Sequence, residues 1–194
     1  MIRIGLIGEI GSGKTFVGRC FGFPIFNADE EVKKIYKSNK NCFRKLNKKF
    51  PNYIKKFPIS KSEIKKIINK KSLLTLSKIV HPYVRLNLKK FLKKNKKKKY
   101  VVLDIPLLIE NRIQRKSDIL VYVKATNKII VKRLKKRGNY NKKLVTLLKS
   151  QQLSMRKKIK LSNFVIENMS GKNRVLEQVK KIKKFLNDWG CFRY

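Results

Sequence analysis

The chain has 194 residues, with 52 Lys and Arg against 11 Asp and Glu for a formal net charge of +41, a length that suits one α/β domain with a three-layer core and a small lid. Such charge ordinarily points to nucleic acid or a membrane surface, but the lysines are dispersed, with apolar residues at core spacing between them, and this is the pattern of a solvated face. Cys20, Cys42 and Cys191 are odd in number and lack C-x-x-C spacing, so neither a disulfide framework nor a zinc site is indicated, while no apolar run approaches a membrane span.

These features predict a soluble cytoplasmic monomer with no membrane partner and no specific nucleic-acid partner. Its N-terminus reads as a strand, not a cleavable signal. Ile2–Ile7 is short, apolar and β-branched enough for a buried strand. Gly8 to Thr15 then read G-x-x-x-x-G-K-T, and Phe16, Val17, Cys20 and Phe21 follow with helical spacing. A strand feeding a Gly-rich turn and then a helix is the context of a phosphate-binding loop rather than an ordinary turn. Gly8, Gly11 and Gly13 let the backbone N–H groups point inward at a phosphate, against the positive end of the next helix. Lys14 adds a point charge, and Thr15 is placed to offer its hydroxyl to a Mg2+ ion on the outer phosphates. The expected nucleotide-binding set is therefore Gly8, Gly11, Ser12, Gly13, Lys14, Thr15 and Phe16.

A weak strand at Pro24–Phe26 precedes Asp29, which falls either at the ligand-binding edge of an open sheet or at a helix N-cap; its sequence suits both. From Asp29 to Lys99 the chain is Lys-rich without strand signal. Three or four helices are predicted there, with breaks near residues 51–59 and at His81-Pro82. His81 reads as a structural or substrate-contact residue, and with Arg85 one turn further on a phosphate-binding surface takes shape. Tyr100–Asp104 is the third strand; Asp104 at its tip either orients Mg2+ through water or caps the turn at Ile105-Pro106. Ile119–Val123 is the fourth strand. Asn127 to Lys160 is helical around the turn Gly138-Asn139-Tyr140-Asn141, the form of a lid, with Arg133 and Arg137 one turn apart to fork onto phosphate oxygens. Phe164–Ile166 is the fifth strand, and Lys172–Asp188 closes the chain as a helix with Val175, Val179, Ile182, Phe185 and Leu186 on its buried face. Alternation of this kind argues for a parallel sheet covered on both faces by helices.

In order and spacing, GLIGEIGSGKT, FGFPIFNAD, LLTLSKIVHPYVR, VVLDIPLLIENR, DILVYVKATNKIIVKRLKKR and SQQLSMRKKIKLSNFVIEN resemble the dephospho-CoA kinase family over nearly the full length. The resemblance implies a three-layer P-loop kinase fold with five parallel strands, a helical substrate-binding region and a helical lid. As one domain, its core would be about residues 1–28, 99–126 and 162–190, its CoA-binding region about 29–98 and its lid about 136–160. It implies ATP and Mg2+ as cofactors and ATP-dependent phosphorylation of the ribose 3′-hydroxyl of dephospho-CoA.

Carried over by position, Asp29 is the base, with Lys14 and Arg137 beside it as catalytic residues; His81, Arg85, Asp104 and Gln152, together with Asp29, bind substrate, and Thr15 meets the metal. The chain departs from the family pattern at Asn27, Glu9, Ile7 and Ser162-Asn163. Glu9 replaces a loop glycine, and an acid there opposes bound phosphates by Coulomb repulsion unless it points to solvent. Another small-molecule P-loop kinase would share Lys14 and the lid without the H-P-x-x-R stretch. A nucleic-acid-binding protein would leave the phosphate loop without a purpose.

Overall fold

The computed structural model describes residues 1–67, 70–136, 142–169 and 171–191. Five strands, β1 (Ile2–Ile7), β2 (Ile25–Asn27), β3 (Tyr100–Asp104), β4 (Ile119–Lys124) and β5 (Phe164–Glu167), form one parallel sheet in the order β2-β3-β1-β4-β5. The central strand β1 pairs with β3 at Ile2↔Tyr100 and with β4 at Ile4↔Ile119. The strands stand where the apolar runs predict them, with ends differing by one residue. Both faces of a parallel sheet are buried, so its strands are apolar throughout and stand out against a Lys-rich background.

The chain divides into two compact units, residues 1–26 with 97–194, and residues 27–96. In the first, helix α1 (Lys14–Cys20) packs on β1 and β3, and the closing helix α9 (Lys172–Cys191) packs on α1 and β5. Val17 of α1, Phe21 at its C-cap and Val175, Val179, Ile182 and Leu186 of α9 are buried there against Ile4, Leu6, Val102 and Val121. Each such side chain contributes roughly 1.5–3 kcal/mol of burial. Phe185, expected on that face, is instead 50% exposed. Its ring stands edge-on to Phe164 at the margin of the core, centroids 5.2 Å apart. On the opposite sheet face, Leu108 reaches so close to Gly5 that a Cβ there would lie 2.6 Å from it. Arg3, buried in β1, donates Nε to Asp118 Oδ1 at 2.7 Å, and its Nη2 also reaches Asp118. The fork fixes the start of β4 beside β1.

The remaining helices of the first unit are α6 (Asn127–Lys136), α7 (Lys142–Ser150) and α8 (Met155–Lys160). The predicted turn at Gly138–Asn141 lies outside the described residues. Among the described residues, no helix is long and apolar enough to cross a membrane.

The second unit contains α2 (Ala28–Ser38), α3 (Lys40–Lys49), α4 (Lys61–Ile67) and α5 (Lys70–Lys94). Its core is Ile35, Cys42, Leu46, Ile54, Ile59, Ile67, Leu76 and Val80. Asn39 joins two helices by donating its N–H to Ile35 O and accepting from Cys42 N at 2.8 Å. The expected break at 51–59 is present, between α3 and α4. The one expected at His81-Pro82 is not, because α5 continues through Pro82. Proline removes one N–H and crowds the carbonyl of Lys78, yet Lys78 and Pro82 are both exposed while Leu76 and Val80 are buried. Water can satisfy the carbonyl, and burial on the other face holds the helix together.

α4 begins on a capping box: Glu63 N donates to Ser60 Oγ at 3.2 Å, and Ser60 N and Oγ donate to Glu63 Oε2 at 2.8 and 2.7 Å. The hydroxyl and backbone of Ser60, with Lys55 N, hold the Glu63 pKa down at about 2 against an ordinary 4.5. A depressed carboxylate contributes stability above its unfolded pKa and loses it as pH falls through the folded one. Thermal denaturation should therefore find Glu63→Gln less stable than the parent at pH 6, with the gap closing between pH 4.5 and about 2. A gap independent of pH would remove the charge from the cap.

Candidate active site

The site begins where β1 ends. Gly8 and Gly13 have φ of +150° and +93°, a region that side chains disfavour. A Cβ on Gly8 would stand 2.7 Å from Val123 O, and one on Gly13 would stand 2.2 Å from Asn168 Nδ2. The curl therefore needs glycine at both positions. Within it Ser12 N donates to Glu9 O at 3.1 Å and Val17 N to Gly13 O at 3.1 Å, starting α1. Lys14 folds back, its Nζ donating to Gly8 O at 3.1 Å and Glu9 O at 3.0 Å. Its charge thus sits over the loop that is to receive phosphate.

Thr15 Oγ1 donates to Asp104 Oδ2 at 2.6 Å. Asp104 is 5% exposed, held at the tip of β3 beside the β1 end by the strand register. Donating the hydroxyl hydrogen to a carboxylate leaves the Thr15 lone pairs as the group's outward chemistry. Ser12 is 1% exposed, and its Oγ has no hydrogen-bond partner among the described residues. An orphaned buried hydroxyl in such a glycine-rich curl is what an anion or its water would satisfy. Gly11 lies against Ile130 and Leu134 of α6, and Phe16 stands 39% exposed on α1.

Gln152 lines a small cavity with Gly8, Lys14, Ile105, Glu110 and Lys158. The fold thus gathers the loop residues, Asp104 and Gln152 in one unit. Arg133, read as a phosphate fork, donates Nη1 to Ser12 O at 2.9 Å and Nη2 to Asn168 O at 2.9 Å. Asn168 Nδ2 also donates to Ser12 O, at 2.8 Å. Arg137 lies outside the described residues.

Asp29, His81 and Arg85 belong to the second unit. Asn27, not Asp29, is the N-cap of α2: its side chain accepts from Glu30 N at 2.8 Å. Asp29 lies exposed in the first turn. His81 and Arg85 stand exposed one turn apart on α5. Partial desolvation, with the charge of Arg85 adding to it, holds the His81 pKa below its ordinary value, so the ring is neutral at pH 7. A cleft of about 580 Å3 between α2, α3 and α5 is lined by Glu31, Lys34, Ser38, Asn41 and Asn87 among others. None of the expected acceptor-binding residues lines it.

Glu110, Lys158 and Asn168 were not among the expected site residues. Lys158 is one lysine among many in MRKKIK, and nothing in that string marks which is buried. Glu110 had a signal in the scarcity of acids on a strand-following segment.

A phosphate loop at the carboxyl edge of a parallel sheet, with Lys14 over it and a Thr–Asp pair at its exit, defines a P-loop phosphotransferase. A profile of the dephospho-CoA kinase family matches residues 2–173. The chain is 35% identical to the dephospho-CoA kinase of Wolbachia pipientis wMel, across 95% of this chain and 97% of that one. It is 34% identical to that of Bartonella henselae, across 94% and 97%. The chain belongs to the dephospho-CoA kinase family. In fold it is similar to TT1252 from Thermus thermophilus, with a TM-score of 0.75 and 26% identity across 94% of this chain and 95% of that one. It is also similar to the dephospho-CoA kinase of Campylobacter jejuni, with a TM-score of 0.64 and 20% identity across 95% and 96%.

Gly13→Ala tests the curl. Backbone strain of ~1–3 kcal/mol at a left-handed position should weaken ATP binding by roughly 10-fold or more in calorimetry, with the far-ultraviolet circular dichroism unchanged. Undiminished affinity would mean that the loop does not hold the phosphates.

Proposed function

We propose that this chain transfers the γ-phosphoryl group of ATP to the ribose 3′-hydroxyl of dephospho-CoA, giving coenzyme A. The observation that carries the reading is the loop itself, with Lys14 on Gly8 and Glu9 and Thr15 on Asp104, in a chain of the dephospho-CoA kinase family. Phosphoryl transfer asks the protein for positioning and positive charge more than for covalent chemistry. N–H groups of the loop other than Ser12 N, which is spent on Glu9 O, bind the phosphates, and the Lys14 ammonium exchanges carbonyl partners for β- and γ-phosphate oxygens. Arg137 adds charge from the lid.

The oxygens of Thr15 and Asp104 suit a hard cation, so Thr15 would hold Mg2+ with Asp104 orienting its shell. Bound there, Mg2+ would neutralise charge on the phosphate oxygens. Among the described residues no group of three or more His, Cys, Asp and Glu could hold a metal.

Asp29 is the base for the 3′-hydroxyl in this reading. Two facts support it: Asn27 already performs the capping that would otherwise explain an acid there, and the Asp29 carboxylate is exposed. His81, Arg85 and Gln152, with Asp104, bind dephospho-CoA. The whole chain acts as one kinase domain, with residues 29–98 as the acceptor region and 136–160 as the lid. It works as a cytoplasmic monomer; Cys20 and Cys42 are free thiols, and the lysine surface is a solvated face rather than a dock for nucleic acid or membrane.

The test is single-turnover phosphoryl transfer to dephospho-CoA against nucleosides, adenylate and shikimate. Lys14→Ala should abolish transfer with the fold intact. Asp29→Asn should slow the chemical step roughly 10²- to 10⁴-fold with ATP binding nearly unchanged. Asn27→Asp preserves the cap, since Asp and Asn cap equally well, and should change the rate little. Near-normal chemistry in Asp29→Asn would end its assignment as the base, and preference for another acceptor would end the assignment of substrate.

A further inference from the structure

Gln152 comes to the phosphate loop from a stretch with little regular structure of its own. It lies in the link between α7 and α8, at residues 151–154, yet it lines the cavity that also takes in Gly8 and Lys14. A link of this kind holds a side chain in place only where a group on a rigid neighbour fixes its backbone. Gln152 N stays within its own turn, donating to Lys149 O at 3.0 Å, and Ser154 caps α8 through its side chain. Leu153 N, between them, donates to Glu110 Oε1 at 3.0 Å.

Glu110 is itself held firmly. It stands on the segment that continues β3 past Asp104, where Leu108 and Ile109 are buried and where Asn111 N and Ile113 N donate back to Leu107 O and Leu108 O at 2.9 and 3.0 Å. Leu107 and Arg112 have φ of +56° and +52°, conformations that a non-glycine residue keeps only where its surroundings impose them. Lys158, buried on α8, brings its Nζ to 3.6 Å from the same Glu110 oxygen. Both residues line the cavity beside Gln152. A buried ion pair is weak ground for stability, because desolvation offsets most of its attraction. What this pair supplies is a fixed place for the carboxylate.

We propose that Glu110 is a positioning residue for phosphoryl transfer: anchored on the continuation of β3 and paired with Lys158, it holds the Leu153 N–H and so sets Gln152 at the wall it shares with Gly8 and Lys14. One segment thus fixes both Asp104 at the loop exit and Gln152 beside the loop. The inference rests on the reading of Gln152 as a contact to dephospho-CoA.

Glu110→Ala alone would strand the Lys158 ammonium and mix folding with positioning. The test therefore compares two charge-free pairs, Glu110→Gln with Lys158→Met and Glu110→Met with Lys158→Met, which differ in the acceptor they offer to Leu153 N. The first pair should keep kcat/KM for dephospho-CoA within about 3-fold of the parent, and the second should lose roughly 10-fold or more, with ATP affinity in calorimetry changed less than about 3-fold in both. In a Gln152→Ala background the two pairs should differ by less than about 2-fold, because the side chain that Glu110 places is gone. Hydrogen exchange of the Leu153 amide, followed by NMR, should quicken at least about 10-fold in the second pair alone. Equal activity of the two pairs, or the same gap with and without the Gln152 side chain, overturns the proposal. A parent that transfers nothing to dephospho-CoA while its Leu153 amide follows this pattern defeats the reading of the substrate; a Leu153 amide that exchanges alike in all three proteins defeats the positioning.

Discussion

Two side chains from distant parts of the chain donate to the carbonyl oxygen of Ser12: the guanidinium of Arg133 from α6 and the amide of Asn168 from just beyond β5. Arg133 also bonds the Asn168 carbonyl, so loop, helix and strand end form one closed network. The curl from Gly8 to Gly13 uses backbone conformations that an unconstrained chain would leave readily. Held from outside, it is set for an anion before one arrives, and less ordering entropy is lost on binding. The orphaned Ser12 hydroxyl follows from the same arrangement. Its carbonyl is taken by Arg133 and Asn168, and its hydroxyl is left without a partner among the described residues.

The sheet was legible because parallel strands are buried on both faces, so Ile2–Ile7, Tyr100–Asp104 and Ile119–Val123 stand out as uninterrupted apolar runs. The loop was legible because its spacing comes with its strand and helix. The proline at 82 misled, since sequence records the missing N–H but not which side of the helix faces water. Asn27 looked like a lost acid, while its side chain in fact starts α2. Lys158 was illegible for a compositional reason. In a chain this rich in lysine, burial of one is invisible until the fold places Glu110 beside it.

The two units are built on different principles. The first rests on strand pairing between segments far apart in sequence, with β1 between β3 and β4. The second is assembled from amphipathic helices and their caps, as at Asn39 and Ser60-Glu63. Its core joins helical Ile, Leu and Val side chains to Ile54 and Ile59 of the segment between α3 and α4, with one buried thiol, Cys42, whose pKa burial pushes to about 11. Such a thiol stays protonated and behaves as a small apolar side chain.

The carboxylates show how an overwhelmingly positive molecule uses negative charge. Glu31 is held by Lys34 and Asn87, Glu63 by the α4 cap, Asp104 by Thr15, Glu110 by Leu153 and Lys158, and Asp118 by Arg3. Positive charge is a background present nearly everywhere, so by itself it cannot label a place. In such a field these rare anions act as coordinates: each fixes its donors in position, and the places they define differ from the rest of the molecule by contrast alone.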